Sequence, residues 1–206
     1  VEVADSDIEG DFSILNLVVP GNTTSQQLAM EIVGPLINNQ TNRLRNVVYS
    51  GGTPASSGRF WGGGDIINIE QGAVLTSGKA VDVGAAPSST YSHNSGSAGD
   101  SLLTSMLSDT KQTYNRSVLE FEFRPVESGT ISFDFVFGSK EYSRSRTQRF
   151  NDGFYFLFGQ AGKDLKAEHN IATVRPHNSQ VVSVRNIDEN TNSDLFIPNP
   201  ARGGKK

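Results

Sequence analysis

Polar and apolar positions alternate most regularly in the middle of the chain. In SVLEFEFRP, Leu119, Phe121 and Phe123 alternate with Glu120, Glu122 and Arg124, the period of a strand with one face in a core and one in water. ISFDFVF repeats the pattern, with Ile131, Phe133, Phe135 and Phe137 inward and Ser132 and Asp134 outward. The ESGT between them has turn chemistry, so the two runs predict a hairpin. DGFYFLF is apolar at both parities and predicts a central strand covered on both faces. ATVRP, VVSVRNI and LFIP predict shorter late strands.

Earlier in the chain the pattern changes. Thr24, followed three residues later by Gln27 and then by LAMEIVG, has the form of a capping box opening a helix that Gly34-Pro35 ends. SLLTSMLS predicts a second helix, with Asp100 at its N-cap and Leu102, Leu103, Met106 and Leu107 as its apolar stripe. Between them, GRFWGGGDIINIEQGAVLTSGKAV keeps its apolar residues spaced and predicts strands joined by tight glycine turns. The long polar loop PSSTYSHNSGSAGD follows. The expected fold is mainly β, a β-sandwich of jelly-roll type with two or three short helices.

Length and composition narrow the picture. A chain of 206 residues suits one sizeable domain. The expected organisation is a linker over 1–10, a single ligand-binding β domain over 11–200 and a flexible tail over 201–206. Eighteen basic against 22 acidic residues, net −4, argue against a nucleic-acid partner, which needs a basic footprint. No run approaches the roughly 20 apolar residues of a membrane span, so direct membrane insertion is not expected. VEVADSDIEG lacks the features of a signal peptide, and the chain is expected to be a piece of a longer protein. With no cysteine, disulfides and thiolate metal sites are excluded, while stabilisation by bound cations stays open.

Signatures of enzymes are absent. His93, His169 and His177 form no HExxH, Gly96-Ser97-Ala98-Gly99 lacks the spacing of a nucleophile elbow, and Gly62, Gly63 and Gly64 precede Asp65 rather than Lys-Ser/Thr. A carboxylate pair for glycoside hydrolysis could be drawn from Asp134, Glu141 and Asp152, at a separation the sequence does not give. The expectation is a non-enzyme.

Oxygen donors are better represented. Glu141, Asn151 and Asp152 sit at the ends of two expected strands and offer the carboxylate and amide oxygens that Ca²⁺ takes; as a polar hairpin connection they need no ion. In DENTNSD, Asp188, Asn190, Asn192 and Asp194 recur at every second residue. That spacing resembles half an EF-hand loop, but Ser193 replaces its glycine and Asn199 its bidentate Glu; an Asn/Asp-rich surface turn is the alternative. Asp5, Asp7 and Glu9 read as a junction calcium site or a solvated linker. Trp61 reads as core or rim against a sugar platform, and Tyr142 as a residue with one apolar and one wet end. Lys140, Arg144, Arg146 and Arg149 read as a carboxylate attractor or as balancing charge.

Two long segments carry a family resemblance. FWGGGDIINIEQGAVLTSGKA resembles the F-x-G-G-x-x-I-x-I-x-x-G-x-V-L-S/T-S/T-G segment of choice-of-anchor L domains, found in large secreted or surface-attached bacterial proteins. LEFEFRPVESGTISFDFVFGSKEYSRSRTQRFNDGFYFLFG resembles that family's second signature, an L-E-F-D-F-x-P strand, a partner ending in S-E-E-Y, and an N-D opening the next aromatic strand. The likeness spans about residues 12–200. Glu141, Tyr142, Asn151 and Asp152 match the pattern, whereas Lys140 stands where the family tends to have a second acidic residue.

The domain is also similar in kind to the peptide-binding domain of calcium-dependent RTX adhesins. That likeness implies an extracellular module on a bacterial surface, monomeric within a larger chain, that captures the free C-terminus of a peptide on a target cell and serves adhesion and biofilm formation. On this reading Ca²⁺ is the cofactor, held by Glu141, Asn151 and Asp152 with Asp100, Asp134, Asp188 and Asn190. Gly62, Gly63, Gly64, Ser139, Lys140 and Tyr142 would meet the ligand. The alternative is a lectin-like module binding glycans through Trp61, Tyr91 and Asn94. A purely structural spacer stays open beside both.

Overall fold

The computed structural model describes residues 16–18, 23–83, 93–143, 150–174 and 180–197. Within them the chain is mainly β with few short helices, arranged as two compact units that the sequence interleaves. Of the described residues, the first unit takes in 16–18, 23–83, 93–97 and 117–135, and the second 98–116, 136–143, 150–174 and 180–197.

The first unit begins with β1 (Asn16–Val18), followed by α1 (Ser25–Val33). The capping box is formed as the sequence predicts: Gln27 N–H donates to Thr24 Oγ1 at 3.2 Å, and Thr24 N–H donates to Gln27 Oε1 at 2.8 Å. Two donors that a helix start leaves unpaired are thereby satisfied. The buried face of α1 carries Leu28, Ala29 and Val33, and Ala29 and Val33 form a core with Ile37 and Leu44. Met30, Phe121, Phe123 and Phe133 pack around that core. Each fully buried Val, Ile or Leu side chain there contributes on the order of 1.5–3 kcal/mol.

Two sheets complete this unit. β2 (Leu44–Gly51) pairs antiparallel with β5 (Ser117–Phe123), with a register shift between Arg45 and Val48. β3 (Ser57–Trp61) lies between β1 and β4 (Gln71–Leu75). The single-turn helix α2 (Gly64–Ile67) lies in the β3–β4 connection. Gly62 occupies the left-handed region at φ 75° there, and a Cβ on Gly63 would come within 2.4 Å of the Ile69 carbonyl oxygen. The connection therefore requires glycine for its own geometry.

The strand expected at Ser117–Phe123 is present, but its expected hairpin partner is not. Residues 131–137 form no regular strand, and Phe135 is exposed. Past β5 the chain is tied elsewhere. Arg124 N–H donates to the Arg43 carbonyl at 2.9 Å, Pro125 has no donor, and Val126 N–H donates to the Leu36 carbonyl at 3.0 Å. These bonds draw the segment towards the start of β2 and the turn after α1, and the ladder goes to a strand some seventy residues earlier in the chain.

The second unit contains α3 (Ser101–Met106), β6 (Gly153–Phe154) and β7 (Val182–Ser183). Asp100 caps α3, accepting Leu103 N–H on Oδ1 at 2.8 Å. A Cβ at Gly153 would meet Leu103 and Leu107 at 3.2–3.4 Å, so these side chains cover the start of β6. Ala172, Val174, Val181, Val182 and Val184 are buried. The long central strand expected from DGFYFLF is reduced to β6 and an isolated bridge from Leu157 to Asn170. Asn170 accounts for the interruption, because its side-chain oxygen accepts both Phe156 N–H at 2.9 Å and Ala172 N–H at 3.1 Å. Of the late strands, Val182–Ser183 is formed and Ser193–Leu195 is a 3₁₀ turn.

Candidate functional site

The second unit gathers most of the oxygen donors singled out above. Ser139 Oγ donates to Asp152 Oδ2 at 2.6 Å, and Glu141 N–H donates to Ser139 Oγ at 3.1 Å. Glu141 itself is buried, 3% exposed, on the 3₁₀ turn Lys140–Ser143. Asp152 is held from the other side through its main chain, whose carbonyl accepts Val184 N–H at 3.0 Å. The turn at 139–141 and the entrance to β6 are thus joined through one serine hydroxyl.

Tyr142 is the aromatic element of the cluster. Its ring meets Phe196 at 5.2 Å between centroids, and Phe137 edge-on at 6.4 Å and 82°, a favourable edge-to-face arrangement. Burial pushes the phenol up to about 12, and the negative charges of Asp188 and then Asp152 push in the same direction. Two carboxylates separated by 36 positions in sequence therefore act on this one hydroxyl.

Asp188 is fixed by its own loop. Its Oδ1 accepts Asn190 N–H and Thr191 N–H, each at 2.7 Å, and Asp188 N–H donates to the Thr191 carbonyl at 2.8 Å. Asn192, at φ 48°, donates Nδ2–H to the Asn186 carbonyl at 2.6 Å. The alternating Asp/Asn residues of DENTNSD thus close a turn whose hydrogen bonds leave Asp188 Oδ2 uncommitted. Asp152 Oδ1 is likewise uncommitted among the described residues. Carboxylate oxygens of this kind are among the donors that Ca²⁺ takes. Among the described residues no group of three or more His, Cys, Asp or Glu is gathered in metal-binding fashion.

Other expected donors have structural work in hand. Asp100 spends Oδ1 on the cap of α3 and accepts Tyr155 O–H on Oδ2 at 3.1 Å. Asn151 Oδ1 accepts Arg185 N–H at 3.2 Å, and its Nδ2 donates to Asp109 Oδ1 at 3.3 Å. Asn190 is exposed and contributes its main chain to the Asp188 turn. Asp134 and Gly62–Gly64 belong to the first unit, where Asp134 is exposed. Trp61, at the end of β3, is 42% exposed, and Asn94 Oδ1 accepts Gly96 N–H at 2.9 Å in a turn. Tyr91, Arg144, Arg146, Arg149, the segments 1–10 and 201–206 and the side chain of Lys140 lie outside the described residues.

Sequence reasoning missed a second polar group in this unit. Arg185 is bonded to Asp109 and, through its main chain, to Asn151. The Arg185 hydrogen bond holds the Asp109 carboxyl below its ordinary value of 3.8, outweighing desolvation. Asp109 and Arg185 are far apart in the chain and neither lies in a motif, so no local signal pointed to them. Phe196 could have been found from the apolar run LFIP; what it touches could not.

Comparison with known proteins agrees with the resemblance in the sequence. The family model described as Choice-of-anchor L domain matches residues 18–201. No curated protein and no solved structure matches the chain.

Proposed function

The chain belongs to the choice-of-anchor L family, a module of surface-anchored extracellular proteins, and from that premise we propose that it is a calcium-dependent binding module that captures the free C-terminus of a peptide. The observation that carries this reading is that two carboxylates from separate loops act on the one phenol of Tyr142. Asp152 and Asp188 each keep one oxygen outside the hydrogen bonding of their loops, and both act on the same phenol. Two carboxylates leave most of a calcium shell, normally 6–8 oxygens, to other groups. A ligand carboxylate suits that role, since it brings oxygens and offsets the charge of the ion.

Asp152 and Asp188 would hold the ion. Bound calcium would supply positive charge for receiving a chain end. Ser139 fixes the Asp152 carboxylate in place, and Phe137, Tyr142 and Phe196 supply an apolar wall for the ligand's last side chain. Specificity for a terminus then arises because an amidated peptide cannot bring an anionic oxygen. On a surface protein, capture of such termini on another cell would serve adhesion and biofilm formation.

The half-exposed ring of Trp61 favours a second reading, a glycan-binding module with that ring as its platform. One experiment separates the two. The calcium-loaded chain is tested against a library of peptides with free C-termini, the same peptides amidated, and a glycan array, each repeated with chelator. Calcium-dependent binding restricted to free termini and lost in Asp152→Asn supports the peptide reading. Glycan binding lost in Trp61→Ala and kept in Asp152→Asn would replace it.

A further inference from the structure

The chain contains three Asn-X-Ser/Thr triplets, at Asn22, Asn39 and Asn115, and the fold treats them unequally. The amide of such a triplet can accept an N-linked sugar only where the asparagine and the hydroxyl two residues on are both open to an enzyme, which places usable triplets in surface loops of exported proteins. We propose that Asn39 is a glycosylation acceptor in the folded protein and that Asn115 is not.

Asn39 lies in the turn that follows α1. The 3₁₀ turn Pro35–Ile37 ends with Asn38 at φ 49°, and Asn39 follows at φ 55°. Asparagine is among the few residues that adopt this left-handed geometry readily. The backbone of the turn is pinned by Asn39 N–H donating to the Gly34 carbonyl at 2.8 Å and Gln40 N–H to the Ile37 carbonyl at 3.0 Å. Gln40 is further held by Arg43 Nε at 2.8 Å. Gly34 gives the carboxamide its room, because a Cβ there would come within 2.6 Å of Asn39 Oδ1. The result is a rigid, outward turn in which Asn39, Gln40 and Thr41 are all exposed. Among the described residues neither the Asn39 amide nor the Thr41 hydroxyl makes a hydrogen bond, so both are available.

The other two hydroxyls are committed. Ser117, the third residue of the Asn115 triplet, is the first residue of β5, and its Oγ shares a 2.9 Å hydrogen bond with Tyr49 Oη and donates to the Ser56 carbonyl at 3.2 Å. Asn115 is itself half-buried. Thr24, the third residue of the first triplet, uses its Oγ1 in the capping box of α1; Asn22 lies outside the described residues.

In the modification a bond forms between Asn39 Nδ2 and the anomeric carbon of a sugar activated as its nucleoside diphosphate. The bond from that carbon to the diphosphate breaks, the diphosphate leaves with the bonding pair, and one amide proton is lost to solvent. This inference concerns the first unit and stands independently of the calcium reading.

The test uses the native chain, UDP-glucose and a soluble transferase that reads Asn-X-Ser/Thr, followed by peptide mass mapping. The same chain unfolded in urea and then diluted into the assay serves as the control for accessibility. One hexose on the Asn39 peptide in the native chain is expected. It should be lost in Asn39→Gln and in Thr41→Ala and unchanged in Asn115→Gln, with Asn115 modified only in the unfolded control. Equal labelling of Asn115 and Asn39 in the native chain would overturn the proposal, as would labelling of Asn39 in the unfolded control alone or in neither sample.

Discussion

Ser139 donates a 2.6 Å hydrogen bond to Asp152 Oδ2 while its oxygen accepts the Glu141 N–H. One hydroxyl therefore orders both the turn that carries the buried Glu141 and the carboxylate at which calcium binding is proposed. Replacing Ser139 with Ala removes a charge-assisted bond and a backbone partner together. The expected loss is about 1–3 kcal/mol in urea unfolding, with a weaker calcium affinity in titration calorimetry. Ser139→Thr, which keeps the hydroxyl, should recover most of both.

Asp100 serves α3 and Tyr155 at once. Asp100→Ala should cost about 1–2 kcal/mol through the lost cap, and more because the Tyr155 hydroxyl loses its acceptor. Tyr155→Phe alone should cost about 1 kcal/mol. In a double-mutant cycle the second change should cost less once the first is made, since the two residues share a bond. Strict additivity would mean that the bond contributes nothing.

Acid stability should depend on Arg185. The Asp109 carboxyl is held below 3.8 in the folded chain, so its contribution is complete above that value and is lost as pH falls through the lowered one. Both partners are more than one-third exposed, which limits the effect to below about 1 kcal/mol at moderate salt. Arg185→Ala should flatten the stability curve below pH 3.8, and added salt should reduce the difference between the two proteins. An unchanged acid limb would remove the ion pair from the account.

At the alkaline end the sign is reversed. The Tyr142 phenol ionises at about 12 in the folded chain against an ordinary 10.0, so the fold holds this proton more tightly. Its contribution is intact below 10.0 and is lost as pH rises through about 12. Ultraviolet difference titration of the wild type against Tyr142→Phe isolates the residue. Asp188→Asn should move its ionisation down, and by more than Asp152→Asn, because Asp188 is the stronger of the two charge effects. The opposite order would contradict this ranking of the two charges.

The parts of this fold that were legible in the sequence depend on neighbours in the chain. The capping box of Thr24 and Gln27 and the cap at Asp100 are encoded within four residues, and both are present. The alternation of Leu119, Phe121 and Phe123 identified a strand but not its partner, because period two fixes which face is buried and says nothing about which strand lies alongside. β5 chose β2 through long-range packing of Phe121 and Phe123 on the α1 core.

Glu141, Tyr142, Asn151 and Asp152 were read as a polar group, and the structure places all four in the second unit. Their division of labour was hidden. Asn151 is occupied by the Arg185 main chain and by Asp109, partners with no signature near it in sequence. Asp188 was legible as an oxygen donor, whereas its action on Tyr142 depends on a turn closed by its own side chain.

The most direct measurement is a pair of thermal melts, with excess calcium and with chelator, on the wild type and on Asp152→Asn. A calcium site at Asp152 and Asp188 requires calcium to raise the wild-type midpoint, by mass action on the folded state alone, and that increase to be largely lost in Asp152→Asn. A wild-type midpoint that does not respond to chelation, or an equal increase in both proteins, would contradict it.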